Sequence, residues 1–377
     1  MGAKAITIRQ AVSIAAVLNF VGAVFLGSRV TATISSDIVD PAAVGDPQAL
    51  TLGLCAALLA AVFWVLFSTL ASLPVSSTHS VVGAMMGFGL VTAGPAAVHW
   101  PTLLTIALSW IVSPFIAAAI SFGLYKLIRR TIQAGPDQTR QLTRWIPVWL
   151  AVIAGVVAYS FLFHTNIGQE LDLSGPAASG ASLAVALTTW IAGRALRNRL
   201  SKPKEESADP VEERFRRLQV LTSCYVALAH GSNDVANALG PVVAIYTLAK
   251  HHQLVSSADI PWPVLLLGGL GIAAGILLLG HKVMKTVGEG ITNLDNRRGF
   301  SADLATATTI MAASDLGLPV SSTTAAVGAV TGVGLARGVS HIDVSVLRRI
   351  FLYWVLTVPV SAFSCMLIYW LLRGLFL

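Results

Sequence analysis

Apolar residues fill long stretches of this chain, and charged residues gather in short clusters between them. Eleven apolar runs stand out, near residues 8–27, 49–72, 75–95, 101–125, 146–164, 179–196, 218–248, 262–280, 300–316, 319–336 and 350–376. Several approach the roughly 20 residues that a bilayer-spanning helix needs, while 300–316 and 319–336 are marginal. The predicted fold class is an all-α polytopic membrane protein.

Two hydrophilic linkers interrupt the runs. One carries Lys126, Arg129, Arg130, Arg140 and Arg144; the other, from Arg194 to Arg217, includes Lys202, Lys204, Glu205, Glu206 and Glu212 and reads as a solvated, flexible loop. Cytoplasmic loops carry an excess of Lys and Arg, so both linkers are assigned to the cytoplasm. The loop after Gly27, with Arg29 against Asp37, Asp40 and Asp46, then faces outward. The loop after Gly280, with Lys282, Lys285, Arg297 and Arg298, faces inward.

That contrast matters because the two loops belong to copies of one repeat. Leu73-Pro74-Val75-Ser76-Ser77-Thr78 recurs as Leu318-Pro319-Val320-Ser321-Ser322-Thr323, and through Leu90 and Leu335 the copies share 12 of 18 positions at an offset of 245. Gly27-Ser28-Arg29-Val30 with Thr33 matches Gly280-His281-Lys282-Val283 with Thr286 at an offset of 253. Equivalent loops on opposite faces predict inverted repeats, a common architecture of secondary transporters. The expected organisation is a first repeat at 1–127, linker helices and charged loops at 128–217, and a second repeat at 218–377.

Each Pro-Val-Ser-Ser-Thr element has a physical reading. Proline ends the preceding helix, and Ser or Thr caps the next one. The new helix offers free N–H groups, a positive dipole end and hydroxyl donors, which together suit an anion. Two such termini from inverted repeats would converge near the midplane, with Ser76, Ser77, Thr78, Ser321, Ser322 and Thr323 around one substrate. Loss of the Ser76 or Ser321 hydroxyl is expected to weaken anion binding by about 1 kcal/mol or more. The flanking apolar pairs, 49–72 with 73–95 and 300–316 with 318–336, are either re-entrant hairpins or double crossings. His79 either contacts the anion or packs as a hydrogen-bonded histidine. Gly83, Gly87, Gly89, Gly328, Gly332 and Gly334 read as close-packing positions.

The run at 218–248 is unusual in its polar content. It contains Ala229-His230-Gly231-Ser232-Asn233-Asp234-Val235-Ala236-Asn237. Polar groups at membrane depth are costly and usually mark an ion or substrate path. On a helix Asn233 and Asn237 lie one turn apart with Asp234 alongside. Their oxygens suit a hard cation such as Na⁺, or a proton carried on Asp234. Asp303 is a weaker second acidic candidate, read mainly as a carboxylate near a helix start.

Composition narrows the class. The chain has 377 residues, 55% hydrophobic and only 11% charged, with mean hydropathy +0.74. A soluble domain carries about 25% charged residues. The net charge of +7 comes from short loops beside apolar spans, so it signals no nucleic-acid partner. Cys55, Cys224 and Cys365 lie far apart in apolar segments and read as small packing residues. With no nucleophile–base pair, phosphate-cradling glycine loop or metal cluster evident, neither enzyme activity nor a cofactor is expected.

Gly231-Ser232-Asn233-Asp234-Val235-Ala236-Asn237 together with two Pro-Val-Ser-Ser-Thr elements resembles the inorganic phosphate transporter family, the sodium- or proton-coupled phosphate permeases. Lys285-Thr286-Val287-Gly288-Glu289 followed by Arg298-Gly299-Phe300 resembles the family's second half, and the likeness covers essentially the whole chain. The resemblance implies symport of inorganic phosphate with Na⁺ or H⁺ by a multi-pass protein of a bacterial or archaeal plasma membrane, acting as a homodimer. It implies a phosphate site at Ser76, Ser77, Thr78, Ser321, Ser322 and Thr323, a cation site at Asn233, Asp234 and Asn237, and a second role for Asn237 at the substrate. The second hydroxyl of each element is Ser here rather than the family's usual Thr, and Thr324 replaces its His or Gln. Sulfate or another oxyanion therefore remains an alternative substrate, and a non-transporting membrane protein an alternative class. The family carries an Asn-Asp motif in each half, and only one is present here. At an offset of 253 its partner would precede Met1, so the sequence is expected to lack the family's first helix.

Overall fold

The computed structural model describes residues 3, 5–71, 73, 75–134, 137–164, 175–196, 209–251 and 260–376. Pro74, Lys202, Lys204, Glu205 and Glu206 lie outside these, as do the side chains of Arg29, Lys282 and Lys285. The α-helices among the described residues are, in order, α1 (Ile8–Leu26), α2 (Ser28–Ser36), α3 (Pro41–Val44), α4 (Pro47–Leu70), α5 (Ser77–Ala93), α6 (Trp100–Ile128), α7 (Gln138–His164), α8 (Gly175–Ala195), α9 (Pro210–His251), α10 (Trp262–Gly290), α11 (Asn296–Asp315), α12 (Ser322–Leu335) and α13 (Val344–Phe376). Every predicted apolar run falls on one of them. Helices α1, α4, α6, α7, α10 and α13 are long and apolar enough to cross a membrane. With 14 residues, α12 is only about 21 Å long, short of a hydrocarbon core near 30 Å.

Three segments read as loops are helical. The end of the second charged linker, from Pro210, already belongs to α9, where Arg214 and Phe215 are buried rather than solvated. Residues after Gly27 form α2, because Val30 and Ile34, one turn apart, face the core and are buried. The segment after Gly280 is the last turns of α10, whose charged end continues the helix beyond its apolar part.

The two halves pack by exchange. Helix α5 of the first lies against α13 of the second, and α12 of the second lies against α6 of the first. Glycine makes both contacts possible. A Cβ at Gly83 or Gly87 would stand 2.6 Å from the Val358 carbonyl oxygen or 2.3 Å from that of Ala362. At Gly328 and Gly332 it would stand 2.2 Å from the carbonyl oxygens of Pro114 and Ala118. These pairs match at offsets of 245 and 244.

Terminal contacts repeat in the same way. In the first half His99 N donates to Ile38 O (3.0 Å) and Asp40 N to Ala97 O (2.8 Å). In the second, Asp343 N donates to Ile291 O (3.1 Å) and Thr292 Oγ1 to His341 O (2.8 Å). The second set lies near the end of the bundle where Glu212 accepts from Asn296 N (2.7 Å) and Arg297 Nε (3.2 Å). Arg214 of the second charged linker donates to Thr139 O and Thr143 Oγ1, both at 3.1 Å, so the two linkers also meet. The basic clusters thus share one face, as the charge pattern predicts.

The exterior is apolar. Phe63, Phe115, Leu183, Leu278, Phe363 and Leu375 all stand more than 60% exposed. A water-soluble surface rarely tolerates so much contiguous apolar area, whereas lipid covers it without cost.

Candidate functional site

The two Val-Ser-Ser-Thr segments, 75–78 and 320–323, meet head to head in the core. Ser76 caps α5, its Oγ accepting from His79 N at 3.1 Å, and Ser321 caps α12 in the same way from Thr324 N at 3.2 Å. The next two N–H groups of each helix have no intrahelical acceptor, as at any helix start. The elements then grip each other: Thr78 Oγ1 donates to Val320 O (3.1 Å) and Thr323 Oγ1 to Val75 O (3.5 Å).

Helix α9 crosses this junction and delivers the polar run. Asp234 Oδ2 accepts from Ser77 Oγ at 2.9 Å and from Ser322 Oγ at 3.2 Å, so one carboxylate oxygen reads both repeats. Asn233 Nδ2 donates to Asp234 Oδ1 (3.1 Å) and Val320 O (2.8 Å), while its Oδ1 accepts from Ser314 Oγ on α11 (3.2 Å). Asn237 Nδ2 donates to Ser77 Oγ and Thr78 Oγ1, both at 3.1 Å. That fixes the amide orientation and leaves Asn237 Oδ1 buried without a hydrogen-bond partner among the described residues. All nine predicted site residues therefore share one junction.

Their roles divide more finely than the sequence suggests. The hydroxyls of Ser76 and Ser321 are held in the caps, and those of Ser77 and Ser322 face the carboxylate. Ser76→Ala and Ser321→Ala should accordingly each lower stability by about 1 kcal/mol, the usual value of a cap. If the junction holds an anion, Ser77→Ala and Ser322→Ala should each weaken its binding by about 1 kcal/mol or more. Melting in detergent and equilibrium binding separate the two pairs.

Other candidates fall outside the junction. His79 is buried and lies over the Trp110 ring, with centroids 3.9 Å apart, so it packs rather than lining the site. Asp303 accepts from Ser223 Oγ of α9 at 2.5 Å, several turns away along α11. Two participants had no assigned role. Ser314 supports Asn233, and Asn19 of α1 reaches His230. Asn19 was detectable as a lone carboxamide deep in an apolar span.

The arrangement gathers carboxylate, carboxamide, hydroxyl and carbonyl oxygens, the donors hard cations take. Beside them stand two positive helix ends, the setting anions take. The profile of the phosphate transporter family matches residues 1–365. A Pyrococcus abyssi protein named "Putative phosphate permease" is 44% identical over 369 residues, covering 98% of this chain and 90% of that one. The Arabidopsis thaliana "Inorganic phosphate transporter 2-1, chloroplastic" is 36% identical, covering 98% of this chain and 67% of its own length. A solved structure described as "The sodium-dependent phosphate transporter" superposes with a TM-score of 0.92 at 44% identity, over 100% of this chain and 92% of the other. With a family match along nearly its whole length and relatives this similar, the chain belongs to the phosphate transporter family.

Proposed function

We propose that this protein couples inward movement of phosphate to Na⁺, with Asp234 as the coupling group. The observation that carries this reading is the contact of Asp234 with Ser77 and Ser322, one hydroxyl from each anion-binding helix start. An anion held there sits beside a carboxylate. At about 5 Å and an effective dielectric near 20, two like charges repel by about 3 kcal/mol. That corresponds to more than about a hundredfold in affinity. A cation bound to Asp234 removes the penalty, so phosphate binds well only after the cation. Coupling follows from electrostatics, with no covalent step.

Phosphate suits the site better than sulfate. Hydrogen phosphate brings P–OH donors that sulfate lacks at neutral pH, and Asn237 Oδ1 is an acceptor in need of one. The choice of Na⁺ is supported by the sodium dependence named for the structural neighbour. The exchanged helix pairs and the terminal contacts repeated at matched positions support inverted repeats at 1–127 and 218–377, joined by linker helices and charged loops at 128–217 and working by alternating access about the junction; the homodimer is carried over from the family resemblance.

Uptake of labelled phosphate into proteoliposomes tests the reading. An inward Na⁺ gradient should drive accumulation, and excess sulfate should compete weakly. Accumulation driven by a pH gradient alone, or full inhibition by equimolar sulfate, would overturn the ion or the substrate respectively.

A further inference from the structure

Helices α7 and α8 form a hairpin beside the bundle, in a register fixed by two glycines. A Cβ at Gly193 would stand 3.2 Å from Pro147 Cα, and one at Gly155 would stand 2.9 Å from Ala186 Cβ. The helices are therefore antiparallel, and Arg194 of α8 lies opposite residues just after Arg144 of α7. At 1.5 Å per residue the two arginine positions fall within about 5 Å of one level.

Helix α7 packs against α9 and α11, whereas α8 packs against α7. Between the hairpin and α9 and α11 lies a slot of about 630 Å³, walled by Val148, Val152, Leu183, Trp190, Met311 and Ala312. Leu183 is 71% exposed, so the slot opens sideways to lipid. Its hydroxyls are already bonded. Ser160 Oγ donates to Val156 O at 2.9 Å and lies 3.2 Å from Tyr225 OH. Ser179 Oγ donates to Gly175 O and Ser182 Oγ to Ala178 O, both at 2.8 Å. The lining carboxylate, Asp315, stands at the end of α11 remote from the basic face.

Two observations point to the occupant. Lining residues run from Val148 to Tyr159 on α7 and from Ser179 to Trp190 on α8, about 16 Å in each case. That is half of a hydrocarbon core near 30 Å, the depth of one leaflet. The second is charge. Arg144 lies one turn beyond Val148, and Arg194 one turn beyond Trp190, at the cytoplasmic end of the slot. Arg194 Cζ lies 5.4 Å from the centre of the Trp190 ring. Both arginines are exposed and form no ion pair among the described residues. The carboxylates of Glu212, Glu213 and Asp295 on the same face are each paired with another arginine.

We infer that the slot seats one acyl chain of an anionic phospholipid from the cytoplasmic leaflet, with Arg144 and Arg194 holding its phosphodiester. Basic side chains at the cytoplasmic end of an inter-helix slot suit such headgroups. The site is separate from the junction and stands independently of the coupling reading. A seated chain packs on Met311 and Ala312 of α11, beside Ser314, whose Oγ donates to Asn233. The lipid thus braces the helix that supports Asn233.

Native mass spectrometry tests this on purified protein that has been delipidated and then given phosphatidylglycerol or phosphatidylcholine with matched chains. Wild type should retain one phosphatidylglycerol per chain and prefer it by about thirtyfold, the value of two attractions between an arginine and an anionic headgroup. Arg144→Gln combined with Arg194→Gln should retain the two lipids equally. Ala312→Phe, which fills the slot, should lose both. The arginine variant changes only exposed side chains, so it tests the site even where Ala312→Phe does not fold. Equal retention of the two lipids by wild type, or an unchanged preference in the arginine variant, would overturn the inference. So would full retention by folded Ala312→Phe, which would place the lipid elsewhere. Disulfide-linked dimers of Leu183→Cys with no lipid retained would show that a second copy covers the slot instead.

Discussion

Asp234→Asn should abolish Na⁺-driven accumulation of phosphate while leaving the protein folded. The amide keeps the shape of the carboxylate and still accepts from Ser77 and Ser322, so the junction of α5, α9 and α12 survives. The charge proposed to bind the cation and repel the anion is gone. Two consequences follow from the same electrostatics. Gradient-driven uptake in proteoliposomes should drop to background. Phosphate binding should persist and lose its dependence on Na⁺, because the repulsion of about 3 kcal/mol that Na⁺ relieves no longer exists. Wild-type accumulation by this variant would show that the coupling ion binds elsewhere.

The second large effect concerns folding. Gly328→Val and Gly87→Val should each destabilise the protein by about 3 kcal/mol or more, at or above the usual range for overpacking. At both positions the first added carbon would lie within 2.3 Å of a backbone carbonyl oxygen, that of Pro114 or Ala362. A carbonyl inside a helix cannot rotate away as a side chain can, so the facing helices must separate. Loss of monodisperse protein in detergent, or a large fall in melting temperature, is the expected readout. Gly123→Ala in α6 is the control, since a Cβ there meets nothing within 4 Å. It should be neutral or slightly stabilising, in line with helix propensity. Equal tolerance of all three substitutions would contradict the exchanged packing of the halves.

Much of this was legible in the sequence, for identifiable reasons. Apolar runs near bilayer length locate helices because lipid forces the backbone to satisfy itself within each segment. The duplicated Pro-Val-Ser-Ser-Thr element marks the candidate site because a helix start must leave N–H groups free. What stayed hidden depends on tertiary placement. Ser76 and Ser77 are adjacent and chemically alike, and only the arrival of α9 decides that Ser77 meets Asp234 while Ser76 stays in its cap. Helix α2 was obscured by its Ser and Thr content, which favours turns locally. Burial of Val30 and Ile34 overrides that preference. Asn19 stands out in its apolar span only as a polar residue, and its meaning comes from His230, 211 positions away.

The central claim is that one carboxylate links cation and phosphate at the meeting of the two repeats. Its most direct test is equilibrium binding of labelled phosphate to purified wild type and Asp234→Asn across a series of Na⁺ concentrations, with choline holding ionic strength constant. The account predicts affinity that climbs with Na⁺ in the wild type, by about a hundredfold at saturation, and a flat response in Asp234→Asn. The same climb in both proteins would contradict it.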